Sequence, residues 1–224
     1  MAIESSYNLT ILNQNSQFQQ FALYQTLPDI VGPSNDPLSL AWLIGTAAAG
    51  SQINPSQSVM TWNVAYSAST GYIRSEGTDS SPRSFLTSTT VSVGVDTQNL
   101  LSVDYQGNFP NGAPGFSGAP TDGAAGEVSI TASGLIPTAL QQQSVKMSLN
   151  IGLAMDGKPT VVTQLLPNQL YQFTPKPKYF LLSGAFIPGQ VIDTARTTQA
   201  FEVDYDGLTN RTVIFTEQNQ FAYA

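Results

Sequence analysis

The sequence predicts an all-β protein, an antiparallel two-sheet β-sandwich, on three observations. Apolar and polar residues alternate with a period of two along most of the chain, helical periodicity is scarce, and Gly-, Pro-, Asn- and Asp-rich turns separate the alternating runs. A β-barrel is the alternative. Two packed sub-sandwiches stay open, because 224 residues fill either one large β domain or two small ones.

In chain order, Tyr7, Leu9 and Ile11 open the pattern. Leu27–Pro37, with prolines at 28, 33 and 37, reads as a loop, and Leu38–Ala49, rich in Leu and Ala, as a short helix. Met60, Trp62, Val64 and Tyr66 read as one strand; Thr89, Val91, Val93 and Val95 as another; Leu101, Val103 and Tyr105 as a third. Between Gln106 and Gly126, Gly and Pro are dense enough to argue against both helix and strand. Connections of that length are usually functional or disordered. Val128 and Ile130 resume the alternation, and Ala139–Gln143 suits a single helical turn.

The clearest strand is Val145, Met147, Leu149, Ile151, Leu153 and Met155, with small or polar residues between them. Asp156-Gly157 then marks a turn before Val161-Val162. Thr174-Pro-Lys-Pro-Lys-Tyr179 reads as a device against edge pairing, with a docking segment as the alternative. Phe201, Val203, Tyr205, then Val213 and Phe215, close the series. Ten or more strands with one polar face each point to antiparallel sheets, and the lack of intervening amphipathic helices argues against βαβ units. The chain reads as one β-rich domain, 1–224. Val103-Asp-Tyr-Gln-Gly107 echoes Val203-Asp-Tyr-Asp-Gly207, either as the trace of a weak duplication of 1–115 and 116–224 or as two similar strand ends.

Composition excludes several chemistries. Only 10% of residues are charged, and eight Lys and Arg against fifteen Asp and Glu leave a net charge of −7. Scattered cations in an acidic chain do not track a phosphate backbone, so no nucleic-acid partner is expected, and anionic membranes are disfavoured. Without Cys or His there is no disulfide, no thiol or imidazole catalysis and no usual transition-metal site. No cofactor is expected. No run is long and apolar enough to span a membrane, and Met1–Tyr7 lacks a signal-peptide pattern. The expected location is the cytoplasm, or outside the cell by a route without a classical signal. The sequons at Asn8 and Asn210 then read as polar strand and turn residues.

Candidate sites rest on aromatics and amides. Trp42, Trp62, Tyr66, Tyr72, Phe109 and Phe116 lie in or near predicted loops, and flat rings beside amides suit sugar rings. The ligand-binding candidates are Trp42, Asn108, Phe109, Asn111, Phe116 and Asp122, with a glycan or small apolar molecule as ligand. Core packing competes with this reading, most strongly for Trp62 on its alternating apolar face. Glu202, Asp204 and Asp206 before Gly207 suggest a Ca²⁺ site; a solvated strand face is the preferred reading, because position twelve of a calcium loop would be Val213 and the flanks alternate like strands. Fifteen acids permit a carboxylate dyad, but none sits in a hydrolase motif.

Several segments resemble the rhizosphere-expressed protein A family of rhizobia and relatives. They are Tyr7-Asn-Leu-Thr-Ile11, Leu23-Tyr-Gln25, Leu40-Ala-Trp42, Thr61-Trp62 with Val64 and Tyr66, and Ile151-Gly-Leu-Ala-Met155. Leu166-Pro-Asn168, Phe173-Thr-Pro175, Pro177-Lys-Tyr179 and Gly189-Gln-Val-Ile-Asp193 follow in order. Lys176 departs from the family pattern, where His stands between the two prolines, and roughly 75–130 does not match. The resemblance implies an abundant, leaderless microbial protein of root or host environments, and implies no reaction. The reading is a non-catalytic, ligand- or partner-binding, lectin-like or self-associating sandwich. The alternatives are an Asp/Glu-dependent enzyme and an assembly or storage protein.

Overall fold

The computed structural model describes residues 6–33, 37–74, 82–193 and 200–224. The chain starts with β1 (Ser6–Asn13) and β2 (Gln19–Gln25), makes an excursion through β3 (Asp29–Val31) and β4 (Leu38–Ser39), and returns as β5 (Leu43–Ala47) and β6 (Ser56–Asn63). It continues through β7 (Tyr66–Arg74), β8 (Phe85–Ser92), β9 (Leu100–Gln106), β10 (Ala113–Thr121) and β11 (Val128–Ala132). The helix α1 (Ala139–Ser144) precedes β12 (Met147–Met155), β13 (Lys158–Gln164) and β14 (Leu170–Thr174). Finally come β15 (Tyr179–Ser183), β16 (Phe201–Val203), β17 (Asn210–Phe215) and β18 (Phe221–Tyr223).

Among the described residues these strands make four open sheets, and the two largest apolar clusters lie between paired sheets. Sheets β18-β17-β1-β6 and β16-β15-β2-β5 enclose Leu9, Phe21, Trp62, Leu181 and Phe215, forming a terminal sandwich. Sheets β10-β9-β11-β14-β3 and β4-β13-β12-β7-β8 enclose Val103, Ile130, Ile151, Tyr171 and Phe173, forming a central sandwich. The all-β sandwich expectation holds, in its two-sandwich form. Pairing is antiparallel with two exceptions: β1 runs parallel to β17, and β9 parallel to β11.

The two sandwiches share one topology. Reading β15, β16, β17, β18, β1, β2, β5, β6 against β7 to β14 in order, every neighbour and every strand direction matches, including the parallel pair. Each half of the chain, β1–β10 and β11–β18, therefore gives four strands of the shared pattern to each sandwich. The repeat turns over in the link 122–127, beyond residue 115, because β10 runs on to Thr121. The echo at 103–107 and 203–207 is not the equivalent pair: Val103 lies in β9, whose counterpart is β17, while Val203 lies in β16.

Three local expectations need correction. Leu38–Ala49 is not helical, because Leu43 and Ala47 of β5 enter the terminal core while β5 pairs with β2. Packing there overrides the helix propensity of Leu and Ala. The stretch 106–126 contains a nine-residue strand, β10. Its Pro114 and Pro120 are tolerated because β10 is a sheet edge with β9 on one side only, so a missing N–H costs little. The run from Met60 to Tyr66 is two strands, broken after Asn63. Within the predicted loop 27–37, β3 forms, and residues 34–36 lie outside the described residues, as do Met1–Ser5.

Candidate binding groove

One end of the central sandwich carries an open cleft of about 690 Å³. Its walls follow from strand register and two pinned connections. β7 and β12 pair so that Arg74 stands opposite Met147 at the sheet's end, which puts Arg74 beside the Val145-Lys146 approach to β12. That approach is held by α1. Thr138 caps the helix in a reciprocal box with Gln141: the Gln141 N–H donates to Thr138 Oγ1, and the Thr138 N–H donates to Gln141 Oε1.

Gln142, fully buried, then ties the helix to the sheet. Its Nε2 donates to the carbonyls of Pro137 and Leu165, both at 2.8 Å, and its Oε1 accepts from Leu149 N–H at 2.9 Å and Gln164 Nε2 at 3.2 Å. Every donor and acceptor of the amide is used, as burial requires. Lys146 follows with φ +53°, a left-handed residue that turns the chain from helix into β12.

The facing wall is the turn 107–112. The Asn108 carbonyl accepts from the N–H groups of Asn111 and Gly112 at 2.8 and 2.9 Å. Phe109 anchors the turn against Tyr105, ring centroids 5.8 Å apart, and packs on the central core. Pro110, Asn111 and Gly112 are thereby presented to the cleft opposite Val145 and Met147, with Tyr72 and Leu149 as its floor. The result is an apolar trough with two cations and an amide on its rim. No Asp or Glu is among the described residues that line it.

The RhiA family model matches residues 4–224. The chain belongs to the RhiA family. The match runs through 75–130, where the quoted segments showed no resemblance. Protein RhiA of Rhizobium leguminosarum bv. viciae is 26% identical over 211 residues, covering 92% of this chain and 80% of that protein. No solved structure matches the chain.

The candidate residues are spread over the molecule. Asn111 lines the cleft; Asn108 and Phe109 line a second one, about 530 Å³, behind the same turn. Phe116 packs on the central core from β10, and Asp122 Oδ1 accepts from the Gln98 N–H at 2.8 Å to close a turn. Trp42 belongs to the terminal core. It is 2% exposed, donates from Nε1 to the Met155 carbonyl at 3.1 Å, and meets Trp62 edge-on with centroids 5.3 Å apart. The tryptophan is thus a packing residue, not a surface ring.

Glu202, Asp204 and Asp206 are exposed. Glu202 pairs with Lys178 at 2.9 Å, whose ammonium is held above its ordinary pKa by that hydrogen bond and charge. Asp204 Oδ1 accepts from the Asp206 N–H at 2.9 Å. Among the described residues no three acids converge on one point. No described helix is long and apolar enough to cross a membrane.

Arg74 and Lys146 escaped the sequence reading. Seventy-two positions apart by number, they meet only through the β7–β12 register. The available signal was charge scarcity: Arg74 ends a charge-free run from 37 to 73.

Proposed function

We propose that this RhiA-family chain is a non-catalytic binding protein whose central groove takes an anionic glycan, one bearing carboxylate or sulfate groups. The observation that carries the reading is the pairing of Arg74 and Lys146 with Asn111 and Tyr72 along one trough. Two of the chain's eight cations, Arg74 and Lys146, stand at the rim of this one cleft. Guanidinium, ammonium and amide supply donors for an acidic group and hydroxyls, while Tyr72, Pro110, Val145 and Met147 supply apolar surface for a sugar face.

The test is calorimetric titration of the full chain with an oligouronate and with a neutral oligosaccharide of equal length. The acidic sugar is expected to bind in a salt-sensitive manner. Arg74→Ala and Lys146→Ala should each remove a charge-assisted contact of about 1.5–3 kcal/mol, roughly ten- to a hundredfold in Kd. Melting temperature should hardly move, since Arg74 and Lys146 are exposed. Equal affinity for the neutral sugar, or full affinity after Arg74→Ala, would refute the assignment.

A further inference from the structure

Four open sheets have eight edges, and unpaired edges invite other chains unless they are blunted. Seven are. β10 carries two prolines and a register break, and β8 has a register break against β7. The edges β5, β3, β16, β18 and β4 are five, three, three, three and two residues long. The eighth edge, β6, has none of these devices. It reads Ser-Gln-Ser-Val-Met-Thr-Trp-Asn, eight residues with no proline and no charge. It pairs with β1 in unbroken register from Ser6 opposite Asn63 to Asn13 opposite Ser56. On its other side, residues 57–63 have no backbone hydrogen-bond partner among the described residues.

The repeat explains why this edge is bare. The counterpart of β6 is β14, whose outer side is covered by β3 from the β2–β5 link. The corresponding link in the other half joins β12 to β13 through Asp156-Gly157 alone, too short to send a strand back across. The fold thus contains a strand site that its own chain fills in one sandwich and leaves open in the other.

We propose that a second copy of this chain fills it, β6 pairing antiparallel with its twin about a two-fold axis. Charge selects that occupant. Copies of a −7 protein repel one another through most of their surface, but 6–28 and 37–73 hold no charged residue, so along β6 itself two edges meet without opposing like charges, and the acids beside it, Asp156 next to Ala65 and Glu217 next to Asn15, stand beyond the strand's ends. The outward residues beside the edge are Gln57, Val59 and Thr61 of β6, with Asn8, Thr10 and Leu12 on the neighbouring β1. Exposed apolar side chains flank it: Val59 at 52%, Ile53 at 97% and Phe18 at 66%. Ile53 and Phe18 belong to two links that are joined by Gly50 N–H to the Asn15 carbonyl at 2.8 Å and Asn13 Nδ2 to the Ala48 carbonyl at 2.7 Å. They therefore sit at the same end of the sandwich. This pairing is independent of the groove and its ligand.

Sedimentation velocity on the full chain, combined with amide hydrogen exchange, tests it. The dimer fraction should rise through the micromolar range, and exchange across 57–63 should slow as it does. Val59→Lys puts a cation near the middle of both strands and should weaken association at least tenfold while leaving the melting temperature in place. Val59→Thr should retain the dimer. A monomer at every concentration overturns the proposal, as does a dimer indifferent to Val59→Lys or one protecting another segment. So does a monomer whose 57–63 amides slow only on adding an extended peptide.

Discussion

The two sandwiches have one topology and different finishes. The central one is continuous in sequence from β7 to β14, gains β3 and β4 on its far edges, and is tied down by buried amides. The terminal one is assembled from both ends of the sequence, and among the described residues no strand pairs with the outer side of β6. It also holds the aromatic cluster, with Tyr7, Trp42, Trp62, Tyr179 and Tyr205 in mutual ring contact. Strand order is therefore compatible with quite different cores, and the links decide what each sandwich offers outside. A link that travels closes an edge; a link of two residues leaves one open.

The largest effects should come from matched core positions. Trp62 of β6 and Phe173 of β14 both point into their cores from counterpart strands, and neither is more than 1% exposed. Truncation to Ala is expected to cost about 3–5 kcal/mol at each. Both tryptophans lie in the terminal sandwich, so their emission reports that sandwich while circular dichroism reports both. In urea, Phe173→Ala should lower the two signals together, because the chain crosses between sandwiches four times. An emission transition that stays in place while the dichroism shifts would make them independent domains.

A sharper comparison uses the link between the first two strands of each half of the chain. The β1–β2 link is pinned by buried Asn13, which donates to the Gln17 and Ala48 carbonyls and accepts from Asn15 N–H. The β11–β12 link is pinned by Gln142. Asn13→Ala and Gln142→Ala should each cost about 2–3 kcal/mol, since each leaves buried backbone groups unpaired. Only Gln142→Ala should also weaken the groove's ligand, by loosening the wall at 145–147. Parallel melts and titrations would show whether the pins are equivalent in stability and different in function.

The smallest effect concerns acid. Asp104 of β9 lies below its ordinary pKa because the Ser133 and Ser117 hydroxyls hydrogen-bond its charged form, with desolvation opposing them. A lowered folded value means its stabilisation is complete above the unfolded pKa and disappears as pH falls through the folded one. Asp104→Asn should therefore leave a shallower acid limb in a plot of melting temperature against pH below 4, a range set by the ordinary value of 3.8. An unchanged limb would assign acid lability to other carboxylates.

Strands with clean alternation were legible. β1, β9 and β12 show one apolar face, and the core uses Leu9, Ile11, Val103, Leu149 and Ile151 as that pattern implies. β10 was hidden because an edge strand accepts the Gly and Pro that interior strands refuse. β5 was hidden because Leu-Ile-Gly-Thr-Ala carries no β signal until β2 is beside it. The turn 107–112 was found through its composition, and Asn111 stands at the groove. Arg74 and Lys146 were beyond reach for a different reason: their proximity is a property of register between distant strands.

The parallel pairing of β1 with β17 also fixes an order of events during synthesis. Residue 8 cannot meet residue 210 until residue 210 has been made, whereas β7 to β14 need only their own 109 residues. The central sandwich can close around its core while β1, β2, β5 and β6 still lack half of theirs. β1 thus waits for β17, and until that strand arrives the core that holds Leu9, Ile11, Phe21 and Trp62 is incomplete.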